Sequence, residues 1–131
     1  MMTSHSDTIK PFDIFYAELY TPYGEKRKHY YVCVYAQPYD FNNPLESDIF
    51  GLVITTNQKY KRMKYNDYNA KVKIGNKLAF VCCDKLVRVP IKLVQKKNLQ
   101  LNMSEREEIQ EKFTNFNREL LRQLQIKEKI L

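Results

Sequence analysis

The segment EKRKHYYVCVY, residues 25–35, runs from a cluster of cations directly into aromatic and β-branched residues. Such side chains favour extended strands, so residues 30–36 are predicted to form a strand. Turn signals border this strand, with TPYG before it at residues 21–24 and PYDFNNP after it at residues 38–44. The cations therefore stand at the start of a strand, where they form either a solvated turn or the rim of a site that binds a polyanion.

The same patterns place further strands on both sides of this segment. Apolar and alternating stretches predict strands at residues 12–19, 48–56, 70–74, 78–83 and 86–94. Gly51 is a candidate bulge position, and Pro90 restricts the last strand to an edge or a bend. Since few helices separate the strands, the sheet should be mostly antiparallel. We expect a mainly β fold with a C-terminal helix, in the form of a small SH3-like barrel built from a strongly bent antiparallel sheet.

The spacing of apolar residues changes at the end of the chain. The sequence SERE matches a capping box, with Ser104 as the N-cap and Glu107 as the third helical residue. A helix over about residues 104–125 is predicted, and it should either close the sheet or support a dimer. Its apolar face comprises Ile109, Phe113, Phe116, Leu120, Leu121 and Leu124. At 131 residues the chain is expected to hold a flexible tail, residues 1–10, and one domain, residues 11–131.

Charge is unevenly distributed along the chain. The net charge is +7, whereas residues 104–131 hold six cations and six glutamates and are neutral. The first 103 residues therefore carry the whole excess, which favours an anionic partner, although basic surfaces also serve solubility. No apolar run approaches the ~20 residues of a membrane helix, and the first residues lack the apolar stretch of a signal peptide. We therefore expect a cytoplasmic protein that has no membrane partner.

Few residues suit metal or cofactor chemistry. The three cysteines have no CxxC spacing and lie in apolar runs, so we predict buried thiols rather than disulfides or a zinc site. The chain has two histidines and three glycines, and it lacks a glycine-rich phosphate loop. We expect no metal and no cofactor. The chemistry that remains uses cations, hydroxyl groups and one imidazole, and RNA cleavage fits because the 2′-hydroxyl of RNA is its own nucleophile.

Four segments, taken in order, make the chain similar to a known family. They are PFDIFYAELYTPYGEKRKHYYVCVY, DIFGLVITT, LAFVCCDKLVRVPIKLV and LNMSEREEIQEKFTNFNREL, and the similarity spans about residues 11–125. Together they resemble the MazF/PemK (Kid-like) toxins of bacterial type II toxin–antitoxin systems. The resemblance implies an SH3-like barrel, a homodimer, metal-independent and sequence-selective cleavage of single-stranded RNA, and inhibition by an acidic antitoxin.

The resemblance also implies candidate catalytic residues. The family's active threonine falls on Thr55, and its catalytic arginine falls on Lys28 or His29, with Arg27 just before them. The family's Arg-Pro pair is absent, so Arg27 substitutes, His29 takes over, or catalysis is lost. The last alternative leaves a catalytically inactive SH3-like module that binds RNA or an acidic protein tail. The candidate RNA-binding residues, which could stack on bases or bind phosphates, are Lys26, Tyr20, Tyr23, Lys59, Tyr60, Lys61, Arg62 and Tyr65.

Overall fold

The computed structural model describes residues 9–20, 22–36, 48–56 and 68–130. These residues form one antiparallel sheet of six strands followed by a C-terminal helix, which confirms the predicted mainly β class. A short 3-10 turn, Ile91–Leu93, precedes the last strand. The strands are β1 (Ile14–Tyr20), β2 (Lys26–Ala36), β3 (Asp48–Thr55), β4 (Asn69–Ile74), β5 (Lys77–Pro90) and β6 (Gln95–Lys96), and the helix is α1 (Met103–Ile130).

The strands are ordered β4-β5-β3-β2-β1-β6 across the sheet. The first half of β5, residues 77–82, pairs with β4 on one side. On its other side β5 pairs with β3 through residues 80–82 and again through residues 86–90. Residues 83–85 are skipped in that ladder, and such an irregularity bends a strand. The two strands predicted at residues 78–83 and 86–94 are therefore one irregular strand, which ends at Pro90.

Apolar side chains are buried on both faces of the sheet. Successive strand residues point to opposite faces, so neighbours along a strand enter different clusters. The helix-side core includes Ile14, Val32, Ile54, Val81 and Ile109. The second core, on the opposite face, includes Phe15, Ala17, Tyr31, Cys33, Ile49, Val89 and Val94. Burial on both faces explains why β2, β3 and β5 contain nearly continuous apolar runs.

The start of the domain also contributes to the second core. Ile9, which lies in the segment predicted to be a tail, is buried there. Residues 1–8 lie outside the described residues. The predicted burial of the three thiols is confirmed, and none of them forms a disulfide. Burial raises the pKa of Cys33 and Cys83 to about 12 and that of Cys82 to about 11, so all three thiols stay protonated and unreactive at neutral pH.

The irregularity near Gly51 differs from the predicted bulge. The register between β2 and β3 shifts between Cys33 and Tyr35, so the extra residue lies on β2 rather than at Gly51. A Cβ atom on Gly51 would lie 2.8 Å from Cζ of Phe15 and 3.0 Å from Cβ of Tyr31. The rings of Phe15 and Tyr31 stack with centroids 5.2 Å apart. Glycine is therefore required for the close approach of these rings to the backbone of β3.

Helix α1 begins at a different capping box from the one predicted. The backbone N–H of Glu105 donates to Oδ1 of Asn102 at 2.8 Å, and the N–H of Asn102 donates to Oε1 of Glu105 at 2.9 Å. The N-cap is therefore Asn102 rather than Ser104, and the third helical residue is Glu105 rather than Glu107. The helix also extends beyond the predicted residues 104–125, since it runs from Met103 to Ile130.

The first turns of α1 hold the edge of the sheet. The backbone N–H of Lys73 donates to Oε2 of Glu105 at 2.7 Å. Further along the helix, Nζ of Lys112 donates to the carbonyl oxygen of Asn69 at 2.7 Å. Both backbone groups belong to β4, which is an edge strand of the sheet. The helix thus satisfies polar groups that an edge strand otherwise leaves open.

The predicted apolar face of α1 is buried only in its first half. Ile109 lies in the helix-side core, and Phe113 packs against it. Phe116 makes an edge-to-face contact with Tyr68, with centroids 5.3 Å apart. The three leucines that follow, Leu120, Leu121 and Leu124, are exposed.

Candidate functional site

A cavity of about 480 Å³ lies where β2 begins, β3 ends and the β4–β5 turn passes. Sequence-predicted site residues from two different strands meet at this place, because β2 and β3 are antiparallel neighbours. The polar residues in its lining are Tyr16, Lys28, His29, Tyr30, Thr55, Thr56 and Lys77. The cavity is therefore the natural place to test the predicted chemistry.

Strand register brings His29 and Thr55 together. Tyr30 pairs with Ile54, so the next antiparallel step places His29 opposite Thr55. His29 also pairs with Ala17 of β1, and Thr55 pairs with Phe80 of β5. Directly opposed residues share one face of a sheet. The side chains of His29 and Thr55 thus lie on the same face, and Arg27, two residues before His29, lies on it too. We call this set, Arg27, His29 and Thr55, the His29 face.

The surroundings of His29 favour its neutral form. The imidazole is half-buried, and its ring meets the edge of the Tyr31 ring with centroids 6.2 Å apart. Burial, followed by the charges of Arg27 and Lys85, lowers the pKa of His29, although a hydrogen bond with the backbone of Ile54 acts in the opposite direction. A neutral imidazole can accept a proton, which is the property required of a general base.

Arg27 is held beside this imidazole by a surface ion pair. Its Nη2 atom lies 3.1 Å from Oε2 of Glu25, and both side chains are exposed. An exposed pair of this kind contributes little stability and exchanges readily with other anions. The guanidinium can therefore bind a phosphate group, for which its planar fork is well suited.

A second set of polar side chains lies on the opposite face of β1 and β2. It consists of Tyr16, Glu18, Lys26, Lys28 and Tyr30, and we call it the lysine face. Glu18 pairs with Lys28 across the two strands, and Tyr16 pairs with Tyr30. The rings of these two tyrosines meet edge to face, with centroids 5.6 Å apart. This face continues the helix-side core, since Ile14 and Val32 follow on the same side of the two strands.

Glu18 is the anionic centre of the lysine face. Its carboxylate lies 3.4 Å from Nζ of Lys26 and 3.5 Å from Nζ of Lys28, and it accepts a hydrogen bond of 3.3 Å from the hydroxyl of Tyr16. Burial acts to raise the pKa of Glu18, but hydrogen bonding with Lys26 and the charges of Lys26 and Lys28 outweigh it and lower the pKa. Hydrogen bonding with Glu18 raises the pKa of Lys26 in turn. The Glu18 carboxylate and the Lys26 ammonium group are therefore charged at neutral pH.

Exposed aromatic rings extend from the lysine face. Tyr20 is 69% exposed and Tyr23 is 93% exposed. Nζ of Lys26 lies 5.7 Å from the centroid of the Tyr20 ring, and Nζ of Lys97 lies 5.5 Å from that of Tyr16. Exposed rings beside cations can stack on unpaired bases while the cations bind the sugar–phosphate backbone.

The structure thus separates the predicted site residues into two groups. Arg27, His29 and Thr55 share one face, whereas Lys26 and Lys28 lie on the other. The register leaves His29 rather than Lys28 opposite Thr55. The candidates Lys59, Tyr60, Lys61, Arg62 and Tyr65 lie outside the described residues.

Sequence reasoning missed three members of the lysine face, namely Tyr16, Glu18 and Tyr30. Their signal is present in the sequence as alternation along two strands: Tyr16, Glu18 and Tyr20 on β1 and Lys26, Lys28 and Tyr30 on β2. To recognise these residues as one surface, the register between β1 and β2 must be known, and the sequence predicts that register only loosely.

The described part of the chain shows neither a metal-binding cluster nor a membrane-spanning helix. Within it, no group of three His, Cys, Asp or Glu side chains is arranged to hold a metal ion. Nor does any helix there have the length and apolar character needed to cross a membrane.

Comparison of the sequence with models of protein families and with curated proteins finds no match.

Proposed function

We propose that this protein is a metal-independent, sequence-selective endoribonuclease that acts on single-stranded RNA, of the type found in MazF/PemK toxins. The observation that carries the proposal is that His29 and Thr55 line one cavity, where the register of β2 and β3, continued one step beyond Tyr30 and Ile54, sets them opposite each other. Arg27 lies on the same face of β2 as His29. These three side chains supply a base, a hydroxyl donor and a cation at one end of two adjacent strands. In-line attack of a ribose 2′-hydroxyl on the neighbouring phosphate requires groups of these kinds.

His29 is the proposed general base. Its neutral imidazole removes the proton of the 2′-hydroxyl, and the resulting oxygen attacks the adjacent phosphorus. The bond from phosphorus to the 5′-oxygen then breaks, and that oxygen takes a proton from solvent. The products are a 2′,3′-cyclic phosphate and a 5′-hydroxyl end. The lowered pKa of His29 supports this role because it keeps the base form populated at neutral pH.

Arg27 and Thr55 are proposed to stabilise the phosphorane. Extra negative charge develops on its equatorial oxygens, and donors aimed at such charge often supply the largest catalytic term. The guanidinium of Arg27 exchanges Glu25 for the phosphate. The hydroxyl of Thr55 donates to one of the same oxygens. Lys28 is placed among the binding residues instead, since it lies on the lysine face.

The proposed RNA path leads from the cavity over the lysine face. Lys26 and Lys28 bind phosphates, while Tyr20 and Tyr23 stack on bases. Each stacked base contributes about 1–3 kcal/mol in proteins that bind single strands. The large exposure of both rings supports this assignment.

The finer features of the family belong to the same proposal. The skipped residues 83–85 and the second core, which joins Ile9 and Val94 to the centre of the sheet, support an SH3-like barrel. The exposed leucines at the end of α1 support a homodimer. Neutralisation by an acidic antitoxin is consistent with the excess of positive charge outside α1. A cytoplasmic location completes the proposal.

The test is cleavage of a long single-stranded RNA in EDTA, with fragment ends mapped. We expect discrete cuts that carry 5′-hydroxyl ends. His29→Gln, Thr55→Val and Arg27→Gln should each slow cleavage by an order of magnitude or more. Lys26→Gln is the matched control, because Lys26 lies on the lysine face and is not in the lining of the cavity, and it should weaken binding at moderate salt while leaving the rate at saturating protein nearly unchanged. Full activity in the His29 and Thr55 variants, with folding verified by circular dichroism, contradicts the proposal.

A binding module without catalysis is the second candidate. Two observations favour it: Arg27 is engaged by Glu25, and the sequence lacks the Arg-Pro pair that the family resemblance implies. An imidazole lacks the bidentate fork of a guanidinium. RNA that stays intact but binds with a steep dependence on salt would select this candidate over the ribonuclease.

A further inference from the structure

The lysine face contains a set of donors that converge on one anion. We propose that Lys26, Lys28 and Tyr16 form a binding site for a phosphate of single-stranded nucleic acid, and that the Glu18 carboxylate fills this site and competes with the phosphate. Glu18 is then an internal competitor that sets the affinity for RNA. The inference rests on the proposed function for the identity of its ligand, but not for any catalytic step.

The geometry is that of an occupied oxyanion site. Three donors from two strands approach one carboxylate, at 3.4 Å from Lys26, 3.5 Å from Lys28 and 3.3 Å from Tyr16. A carboxylate and a phosphodiester each carry one negative charge shared by two oxygens. The donors that meet the carboxylate of Glu18 can therefore meet the two non-bridging oxygens of a phosphodiester in the same way.

The carboxylate is held loosely enough to be displaced. Strong charge-assisted hydrogen bonds have lengths of about 2.7–2.9 Å, and the contacts of Glu18 are longer. The side chain of Glu18 is 38% exposed, while those of Lys26 and Lys28 are 47% and 60% exposed. Exposed ion pairs of this kind add little stability, so a polyanion that brings several phosphates at once can replace the carboxylate.

The neighbouring residues favour a single strand over an isolated anion. The rings of Tyr16 and Tyr30 meet at the centre of this face, and Tyr20 lies at its end beside Lys26. Tyr16 and Lys28 also line the cavity beside His29 and Thr55. A strand whose phosphate lies between the lysines can thus stack a base on an adjacent ring and continue into the cavity.

The test measures binding to an uncleavable strand. The probe is a fluorescein-labelled single-stranded DNA of mixed sequence and about 20 nucleotides, which lacks the 2′-hydroxyl and spans one binding groove. Glu18→Gln keeps the size of the side chain and removes its charge. The matched control is Glu119→Gln, which breaks a surface ion pair of the same kind with Arg122 on the helix.

We expect Glu18→Gln to tighten binding about tenfold at low salt and to steepen the plot of log Kd against log salt by about 0.7, the value for one further phosphate contact in a single strand. Glu119→Gln should change the Kd by less than about twofold, since it adds no phosphate contact. The gain in affinity from Glu18→Gln should disappear when Lys26 and Lys28 are both changed to Gln, because Glu18 then no longer occupies lysines that a phosphate could bind. Inorganic phosphate, at constant ionic strength, should compete with the strand only at millimolar concentrations.

Four results overturn the inference. In the first, Glu18→Gln binds the strand no more tightly than Glu119→Gln does, and in the second, the tighter binding of Glu18→Gln persists after both lysines are changed to Gln. In the third, neither the wild type nor Glu18→Gln binds the strand. In the fourth, micromolar inorganic phosphate displaces the strand. Weaker binding by Glu18→Gln would show that the carboxylate contacts a base. Failure of the proposed function looks different: the strand binds more tightly to Glu18→Gln, but RNA stays intact with every variant. Cleavage of RNA without any tightening would overturn only the role of Glu18.

Discussion

Glu105 is expected to be the residue of α1 on which the attachment of the helix to the sheet depends most. One carboxylate oxygen accepts the backbone N–H of Asn102 and completes the capping box at 2.9 Å. The other accepts the backbone N–H of Lys73 on the edge strand β4 at 2.7 Å. Truncation in Glu105→Ala removes both contacts at once, so that the backbone N–H groups of Asn102 and Lys73 can donate only to water.

The cost follows from the two contacts. Loss of a helix-capping interaction costs about 1 kcal/mol. Loss of a single hydrogen bond at a partly exposed edge costs about 1 kcal/mol more. We therefore expect Glu105→Ala to lower the free energy of unfolding by about 2 kcal/mol. Glu107→Ala is the matched control, because it removes an exposed carboxylate from the same first turns and should cost about 0.5 kcal/mol through the helix dipole alone.

Urea unfolding followed by circular dichroism measures both variants. Glu105→Gln adds a second control, since its amide oxygen retains one acceptor, and it should lie between the wild type and Glu105→Ala. The reasoning is refuted if Glu107→Ala destabilises the protein as much as Glu105→Ala does. That result would place the capping box at Ser104 and Glu107, where the sequence pattern first suggested it.

Two further predictions concern the sheet. The pKa of His29 is lowered in the folded state. As the pH falls through the ordinary histidine pKa of ~6.5, the unfolded chain therefore binds a proton at His29 before the folded protein does. The wild type should lose stability through that range, whereas His29→Gln should lose less; equal losses in urea unfolding at pH 7.5 and pH 5 would contradict this. Gly51→Ala brings a Cβ to 2.8 Å from Cζ of the buried Phe15, so it should cost about 1–3 kcal/mol. Unchanged stability would show that the ring moves aside freely.

Strand prediction from the sequence succeeded where alternation and burial act locally. Residues 48–56 and 70–74 were predicted almost to their observed ends, because short apolar segments between turn signals have few alternatives. The division of β5 was wrong. CCDK at residues 82–85 reads as an interruption, but β5 continues through it while β3 skips residues 83–85. That irregularity belongs to the register between β3 and β5, and this register cannot be deduced from the sequence of one strand alone.

The start of α1 illustrates a choice between two local patterns. Asn102 and Glu105 have the same spacing as Ser104 and Glu107, so either pair could form a capping box. The first pair forms, and its Glu105 also reaches the backbone of Lys73. Tertiary contact with β4 therefore adds to the earlier box, and this contribution is invisible in the helix sequence.

The candidate site was predicted in composition but not in arrangement. Arg27, Lys28 and His29 follow one another in the sequence, which suggested a single cluster. Alternation separates Lys28 from the other two, and only the register between β2 and β3 decides which of them meets Thr55. Glu18 was not predicted at all, because an acidic residue gave no reason to be included in a site for a polyanion.

Binding of a phosphate at Arg27 has a consequence for the pKa of His29 in the proposed reaction. The cations that help to lower the pKa of His29 are Arg27 and Lys85. A phosphate bound at Arg27 neutralises part of that charge, so the pKa of His29 should rise when RNA binds and the imidazole should become a stronger base beside its substrate. Binding of an uncleavable single-stranded DNA near pH 6 should then be accompanied by proton uptake, measured by calorimetry in buffers of different ionisation enthalpy. His29→Gln should abolish this uptake, and uptake that persists in the variant would place the titrating group elsewhere.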